Sequence, residues 1–173
     1  MDLAGLWRIH IKHKDGKQTL EQIWIFTIID IGSNWIKIHP ITTKQSANIA
    51  QIFSNKWLCQ YQRPQEVNYD TGGEFCSFEF QELLQSYGIH QKPTTVKNPH
   101  ANSFVERIHL TIGDHLRGIK FVHKEEWYRE LHSILQSIAW AIRMTLHTTV
   151  TNYSSAQLVF SKDMIMQMHI NVD

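Results

Sequence analysis

The sequence predicts one α/β domain with a five-stranded mixed sheet, whose first three strands are antiparallel and whose two faces carry helices. Three observations predict this class. The N-terminal part alternates apolar and polar residues between turn signals, which is typical of strands. The apolar period then changes to helical spacing, and short strands alternate with helices. The length, 173 residues, is that of a single domain that can bury most of its apolar surface.

Three antiparallel strands are predicted at residues 6–11, 22–31 and 35–39. Asp15-Gly16 is a hairpin signal, because glycine supplies the positive φ that a tight turn needs. Residues 32–34 form the second predicted turn, and Pro40 closes the third strand. The elements predicted after them are a helix at 44–61, strands at 66–69 and 89–92, a helix at 78–87, a loop at 93–100, and helices at 102–117, 125–146 and 155–160.

Composition and charge narrow the function classes. Lys plus Arg is 17 and Asp plus Glu is 16, which excludes a strongly basic coat protein but leaves nucleic acid as a possible substrate. Cys59 and Cys76 are too few for a disulfide scaffold and are expected to be reduced thiols in the core. No secretory signal or membrane-length apolar run is visible, so an intracellular protein without a membrane partner is expected.

Two carboxylates, those of Asp70 and Glu106, lie in sequence settings typical of functional sites. Asp70 directly follows a predicted strand and precedes Gly72 and Gly73, which let the backbone turn sharply. Glu106 lies one turn inside the helix that Asn102 is predicted to cap, and 35 residues separate it from Asp70. Alone, each carboxylate would be a turn cap or a solvated helix residue. The spacing and the flanking residues together favour a functional site.

These residues resemble the catalytic core of a retroviral-type integrase, most similar to the cores of gypsy-like and copia-like LTR retrotransposons. The resemblance rests on residues 70–75, 98–107 and 153–164. It implies a ribonuclease H-like fold with an integrase catalytic core at 1–150 and a C-terminal docking tail at 151–173. It also implies a polynucleotidyl transferase of the DD-35-E type, which processes DNA 3′ ends and joins them to target DNA.

The first aspartate of such a triad has two candidates. Asp30 ends a central strand, whereas Asp2-Leu3-Ala4-Gly5 resembles the first-strand motif that carries a metal ligand in the family. A tight turn at Asp15-Gly16 would place Asp2 opposite Ile29 and Asp30 on the other face, although a one-residue slip reverses that result. The resemblance favours Asp2.

The resemblance therefore implies Asp2, Asp70 and Glu106 as catalytic residues and metal ligands. Three carboxylates at one sheet edge repel each other unless a cation joins them, and oxygen ligands favour Mg²⁺ or Mn²⁺. Two such ions about 3.5–4 Å apart can support an in-line displacement at phosphorus. A helix N-terminus near Glu106 would keep its carboxylate ionised. No other cofactor is implied, and the histidines lack cysteine partners for a zinc site.

A DNA-binding strip is the next expectation. Residues 92–124 form a basic strip beside the predicted metal site, and the candidate DNA contacts are Lys92, Lys97, Asn102, Arg107 and Arg117. An ordinary charged helix face accounts for them equally well. Leu110 and Gly113 stand where retroviral relatives have lysines, so that mode of DNA contact differs here.

The resemblance also sets the expected partners and the rival functions. DNA ends and target DNA are the expected partners, with a homodimer or higher oligomer, in the nucleus or a virus-like particle. The polyprotein modules that flank such a core are expected to be missing from this chain. Glu74 is expected to be a solvated or turn residue and Phe75 a core residue. An inactive or domesticated remnant that binds nucleic acid or protein is one rival, and a bacterial-type transposase is the other.

Overall fold

The computed structural model describes residues 1–12, 16–93, 99–118, 126–145 and 152–162. The predicted Asp15-Gly16 turn falls partly outside them, as do Lys97 and residues 163–173. In chain order the elements are β1 (Asp2–Lys12), β2 (Gln18–Ile29), β3 (Ile36–Ile41), α1 (Ser46–Phe53), a π-helical segment (Ser54–Leu58), β4 (Glu66–Tyr69), α2 (Gly73–Cys76), α3 (Phe78–Ser86), β5 (His90–Pro93), α4 (Pro99–Gly118), α5 (Trp127–Met144) and α6 (Ser155–Phe160).

The described strands form two sheets. β1, β2 and β3 pair antiparallel in that order, as predicted, and β4 pairs with β5 in parallel. The α/β class with both kinds of pairing is confirmed. The single five-stranded sheet is not observed, because no strand ladder joins the two groups among the described residues. One hydrogen bond does link them, since the Met1 ammonium donates to the Asn68 carbonyl oxygen at 2.5 Å.

A β-bulge in β1 changes the predicted register. Asp2 lies opposite Thr27, whereas the turn geometry predicted Ile29. The pairs Ala4–Ile25 and Trp7–Ile23 flank the bulge. Two β1 residues, Gly5 and Leu6, lie between these pairs, whereas β2 has only one residue there. Gly5 has a φ of 134°, which side-chain-bearing residues rarely adopt, so glycine suits this position. The hairpin itself shifts the register by one residue, since Trp7 pairs with Ile23 and not with Trp24, and the bulge adds a second. The net shift of two residues leaves Asp2 on the face of the sheet where the prediction placed it.

Helices cover both faces of the three-stranded sheet, as predicted, and each face has its own core. One core joins the sheet to α4 and α5; its fully buried members include Ile11, Ile23, Ile25, Ile36, Ile38, Ile112, Leu131 and Leu135. The other joins the sheet to α1, α3 and β4; its fully buried members include Phe26, Ile49, Phe75, Phe80 and Leu84. Phe75 is therefore a core residue, as expected.

Helix boundaries differ from the predictions at two informative places. α4 begins at Pro99, three residues before Asn102, so Asn102 is not the N-cap and that prediction is wrong. Proline suits a first helical turn because its missing N–H needs no partner there. Glu106 consequently lies two turns inside α4, where the helix dipole has little effect. The helix predicted at 44–61 is α1 followed by the π-helical segment, and α2 was not predicted.

The last described helix is anchored on the core. α6 has the predicted bounds and a capping box in which the Ser154 hydroxyl accepts from the Gln157 amide. Ser161 ends the helix with a φ of 56°, a left-handed conformation that glycine adopts more readily. Phe160 packs edge-on against Trp35, with ring centroids 5.1 Å apart. The predicted boundary at residue 150 falls in a segment outside the described residues.

The two cysteines, Cys59 and Cys76, are free thiols but exposed, so their assignment to the core is wrong. Cys59 follows the π-helical segment and Cys76 ends the short helix α2, and both positions face away from the sheet core.

Among the described helices, none combines the length and the apolar character that crossing a membrane requires.

A buried histidine should make the fold sensitive to acid. Burial lowers the pKa of His39 from 6.5 to about 3, and the charges of His132, Lys56, Lys37 and Arg143 act in the same direction. The unfolded chain binds this proton below about pH 6.5 and the folded chain only near pH 3, so stability should fall as pH falls between these values. The free energy of unfolding should fall by up to about 1.4 kcal/mol for each pH unit in this interval.

Urea unfolding between pH 7.5 and 4.5 checks this expectation. His39→Gln should show a smaller loss of stability in that interval than the unmodified chain. His90→Gln, an exposed substitution in β5, is the matched control and should keep the original slope. An unchanged slope in His39→Gln would contradict the assignment.

Candidate metal and nucleic-acid site

Asp2 is held at both carboxylate oxygens. Its Oδ1 accepts a hydrogen bond from the Leu3 amide at 2.8 Å, and its Oδ2 lies 3.4 Å from Nδ1 of His109. The Asp2 side chain is 37% exposed, so solvent still reaches it. The carboxylate is therefore oriented by the protein and accessible from one side.

His109 links helix α4 to the sheet. Its Nε2 lies 3.1 Å from the Thr27 hydroxyl, and its side chain is 13% exposed. Burial lowers the pKa of His109, and the negative charges of Asp2 and Glu106 oppose that change. The imidazole thus lies within electrostatic reach of two of the three predicted carboxylates.

Asp70 occupies the predicted position directly after β4. Its carboxylate is exposed, and Oδ1 accepts a hydrogen bond from the Gly72 amide at 3.1 Å. The amino group of Met1 lies nearby: burial lowers its pKa to about 6, while the charges of Asp2 and Asp70 act in the opposite direction. Met1 also hydrogen-bonds the Asn68 carbonyl oxygen, which lies two residues before Asp70.

Glu106 is exposed on α4, three residues before His109 and on the same side of the helix. Asp2 thus contacts a histidine on the face of α4 that carries Glu106, and Met1 beside Asp2 hydrogen-bonds the Asn68 carbonyl oxygen, two residues before Asp70. Within the described part of the chain, no three His, Cys, Asp or Glu side chains are already arranged to hold a metal.

The rival first aspartate has a structural role. Asp30 Oδ2 accepts hydrogen bonds from both the amide and the hydroxyl of Ser33. The Asp30 amide donates to the Trp35 carbonyl oxygen, so the residue closes the turn between β2 and β3. It lies one residue beyond β2, on the face opposite Asp2. This geometry favours Asp2 as the residue that faces α4.

Glu74 differs from the expectation of a solvated residue. Its side chain is only 9% exposed and forms an ion pair with Lys44, whose Nζ lies 3.0 Å from Glu74 Oε1. Lys44 follows β3, so this pair ties the loop after β3 to the turn after Asp70. A carboxylate with so little exposure needs such a partner, which the local sequence does not reveal.

Gly72 provides space between two carboxylates. A Cβ atom at this position would lie 2.9 Å from Cδ of Glu74 and 3.0 Å from Oδ1 of Asp70. We expect Gly72→Ala to be less stable than Gly73→Ala by about 1 kcal/mol, because Glu74 must move away from Lys44. The difference is measured by urea unfolding of the two variants.

Gly73→Ala is the matched control because a Cβ there meets nothing within 4 Å. In a Glu74→Ala background only the contact with Asp70 Oδ1 at 3.0 Å remains, so the penalty of Gly72→Ala should be smaller. An undiminished penalty in that background would show that Glu74 is not its source.

The predicted basic strip is partly neutralised. Lys92 pairs with Glu66 at 3.1 Å, and Arg117 pairs with Asp114 at 2.7 Å. Arg107 is exposed on α4, next to Glu106. Exposed ion pairs of this kind are weak, so a phosphate can compete for these cations. Lys97 and the side chain of Asn102 lie outside what the structure describes.

Three residues of the site were not singled out from the sequence: Thr27, Lys44 and His109. His109 carried a signal, because the Glu106-x-x-His109 spacing places both side chains on one face of a helix. Thr27 could be found only through the register of β1 on β2, which the bulge obscures. Lys44 required knowledge of the loop after β3.

Comparison with known proteins defines the class. A family model described as the integrase core domain matches residues 4–99. This is more than half of the chain, and the chain belongs to that family. The matched segment contains Asp70, begins after Asp2 and ends before Glu106, so the match alone does not define the complete carboxylate set.

A curated relative supports the same class. The chain is 29% identical over 101 residues to the "Retrovirus-related Pol polyprotein from transposon TNT 1-94" of Nicotiana tabacum. That alignment covers 56% of this chain and 7% of the relative. The chain therefore spans a small part of the polyprotein it matches. The comparisons support the resemblance to an integrase core of an LTR retrotransposon.

Proposed function

We propose that this chain is a metal-dependent polynucleotidyl transferase core that acts in DNA integration. Asp2, Asp70 and Glu106 would be its metal ligands and catalytic residues. The observation that carries the proposal is geometric: Asp2 Oδ2 lies 3.4 Å from His109, which shares a face of α4 with Glu106, and Met1 beside it hydrogen-bonds Asn68, two residues before Asp70. Family membership supports the reaction class.

The residues fit a divalent metal. All three are carboxylates, whose hard oxygens suit Mg²⁺ or Mn²⁺, and all three are reached by solvent. Two bound ions would supply activation of the attacking oxygen and stabilisation of the leaving oxygen. The protein's part is to hold the carboxylates in place: the Leu3 amide fixes Asp2, and the Gly72 amide fixes Asp70.

The proposed reaction has two displacements at phosphorus. Water first cleaves a phosphodiester near a DNA 3′ end, and the freed 3′-hydroxyl then attacks a phosphodiester of target DNA. Neither step needs a protein nucleophile. The candidate DNA contacts are Lys92, Lys97, Asn102, Arg107 and Arg117. Of these, Lys92, Arg107 and Arg117 are exposed cations that would bind phosphate.

The proposal includes the arrangement and setting of the core. We infer that β4 lies beside the start of β1, so that the five strands form one ribonuclease H-like sheet, and the Met1–Asn68 hydrogen bond supports this. The core would span 1–150 and the docking tail 151–173. A homodimer or higher oligomer, flanking polyprotein domains, and a nuclear or virus-like-particle location belong to the same proposal.

The test is cleavage of supercoiled plasmid DNA by the 173-residue chain with Mn²⁺ or Mg²⁺. Nicked DNA or joined products should form only with the metal and disappear with a chelator. A folded chain that binds DNA without cutting it would overturn the enzymatic proposal and favour a non-enzymatic binding module.

A further inference from the structure

The position of His109 between two strands suggests a role that the family match does not assign. Asp2 and Thr27 are cross-strand neighbours in β1 and β2. Side chains directly opposite each other in an antiparallel pair lie on one face of the sheet. His109 on α4 contacts both residues of this pair. Its Nδ1 lies 3.4 Å from Asp2 Oδ2, and its Nε2 lies 3.1 Å from the Thr27 hydroxyl.

The two neighbours of the His109 ring indicate which ring nitrogen carries the proton. An ionised carboxylate only accepts hydrogen bonds, so we assign the proton to Nδ1, which lies 3.4 Å from Asp2 Oδ2. In a neutral imidazole the Nε2 atom is then an acceptor, and the Thr27 hydroxyl donates to it. Thr27 is 1% exposed, so water does not compete for this hydrogen bond.

We propose that Thr27 and His109 form a relay that positions the Asp2 carboxylate for a divalent cation, with His109 as a positioning residue and not a ligand. This inference rests on the proposed role of Asp2 as a metal ligand. The relay leaves the solvent-facing side of Asp2 available, since exposure rises from Thr27 to His109 to Asp2. Because the Asp2 side chain would already be held in one orientation, less conformational entropy would be lost when the ion binds.

The same relay would set the distance between two ligands. Glu106 and His109 share one face of α4, so the contact of His109 with Thr27 also anchors that face to the sheet. Loss of the relay should therefore weaken metal binding more than it weakens the fold.

The experiment measures Mn²⁺ affinity by electron paramagnetic resonance of free Mn²⁺, with unfolding midpoints recorded in the absence of metal. Thr27→Val keeps the shape but removes the hydroxyl donor, and should weaken Mn²⁺ binding by about tenfold. Thr27→Ser keeps the donor and should restore binding to within about twofold of the original. His109→Leu should weaken binding at least as much as Thr27→Val.

His115→Asn is the matched control, because His115 is exposed on the same helix and contacts its own helix backbone. It should leave Mn²⁺ affinity unchanged. Equal affinities for the unmodified chain and Thr27→Val would overturn the relay while leaving the proposed function intact. Absence of Mn²⁺ binding by the unmodified chain would overturn the proposed function itself, and the relay with it.

Discussion

Glu106→Gln is expected to abolish metal-dependent cleavage of DNA by this chain while its fold is retained. The substitution keeps the size of the side chain but removes the negative charge that a divalent ion needs. A catalytic metal contributes several kcal/mol of charge stabilisation, which corresponds to a loss of about a hundredfold or more. Glu106 is exposed, so the unfolding free energy should change by no more than about 0.5 kcal/mol.

Plasmid nicking at fixed Mn²⁺ concentration measures this effect. Glu82→Gln is the matched control, because Glu82 is exposed on α3 and lies outside the candidate site. It removes the same charge and should leave cleavage unchanged. If Glu106→Gln cut DNA as fast as Glu82→Gln, Glu106 would not be a metal ligand.

Leu135→Ala is expected to destabilise the fold by about 2–5 kcal/mol, because it creates a cavity in the core under α5. Leu135 is 0% exposed and packs in the cluster that joins α5 to the three-stranded sheet. The helix is fixed there by further contacts, since Tyr128, Gln136 and Arg143 each donate a hydrogen bond to a carbonyl oxygen of β3. The surroundings therefore have little freedom to fill the space.

Urea unfolding gives the size of this loss. Leu110→Ala is the matched control, because Leu110 lies on α4 with 66% of its surface exposed and the same atoms are removed. Its cost should stay below about 0.5 kcal/mol. Similar costs for the two variants would contradict the assignment of α5 to the core.

Elements with local signals were predictable from the sequence. The bounds of β4 and α6 agree with the predictions because each element is short and bounded by residues that stop it. The apolar stripe of α5 correctly indicated a buried face, since its spacing of three and four residues is specific to a helix. The position of Asp70 directly after a strand followed from the same kind of reasoning.

Features that depend on distant residues were not predictable. The register of the β1–β2 hairpin and the bulge at Gly5 and Leu6 each moved the pairing by one residue, so the predicted partner of Asp2 was wrong by two residues. The exposure of Cys59 and Cys76 and the burial of Glu74 depend on which face of a short element meets the core. The bridge formed by His109 depends on the docking of α4, which no local pattern encodes.

Calorimetric titration with Mn²⁺ tests the central claim most directly, namely that carboxylates far apart in the sequence share divalent ions. The chain should bind two Mn²⁺ ions, and Asp70→Asn should lose this binding while its unfolding midpoint without metal stays unchanged. Mn²⁺ binding by Asp70→Asn with the stoichiometry and affinity of the unmodified chain would contradict the claim.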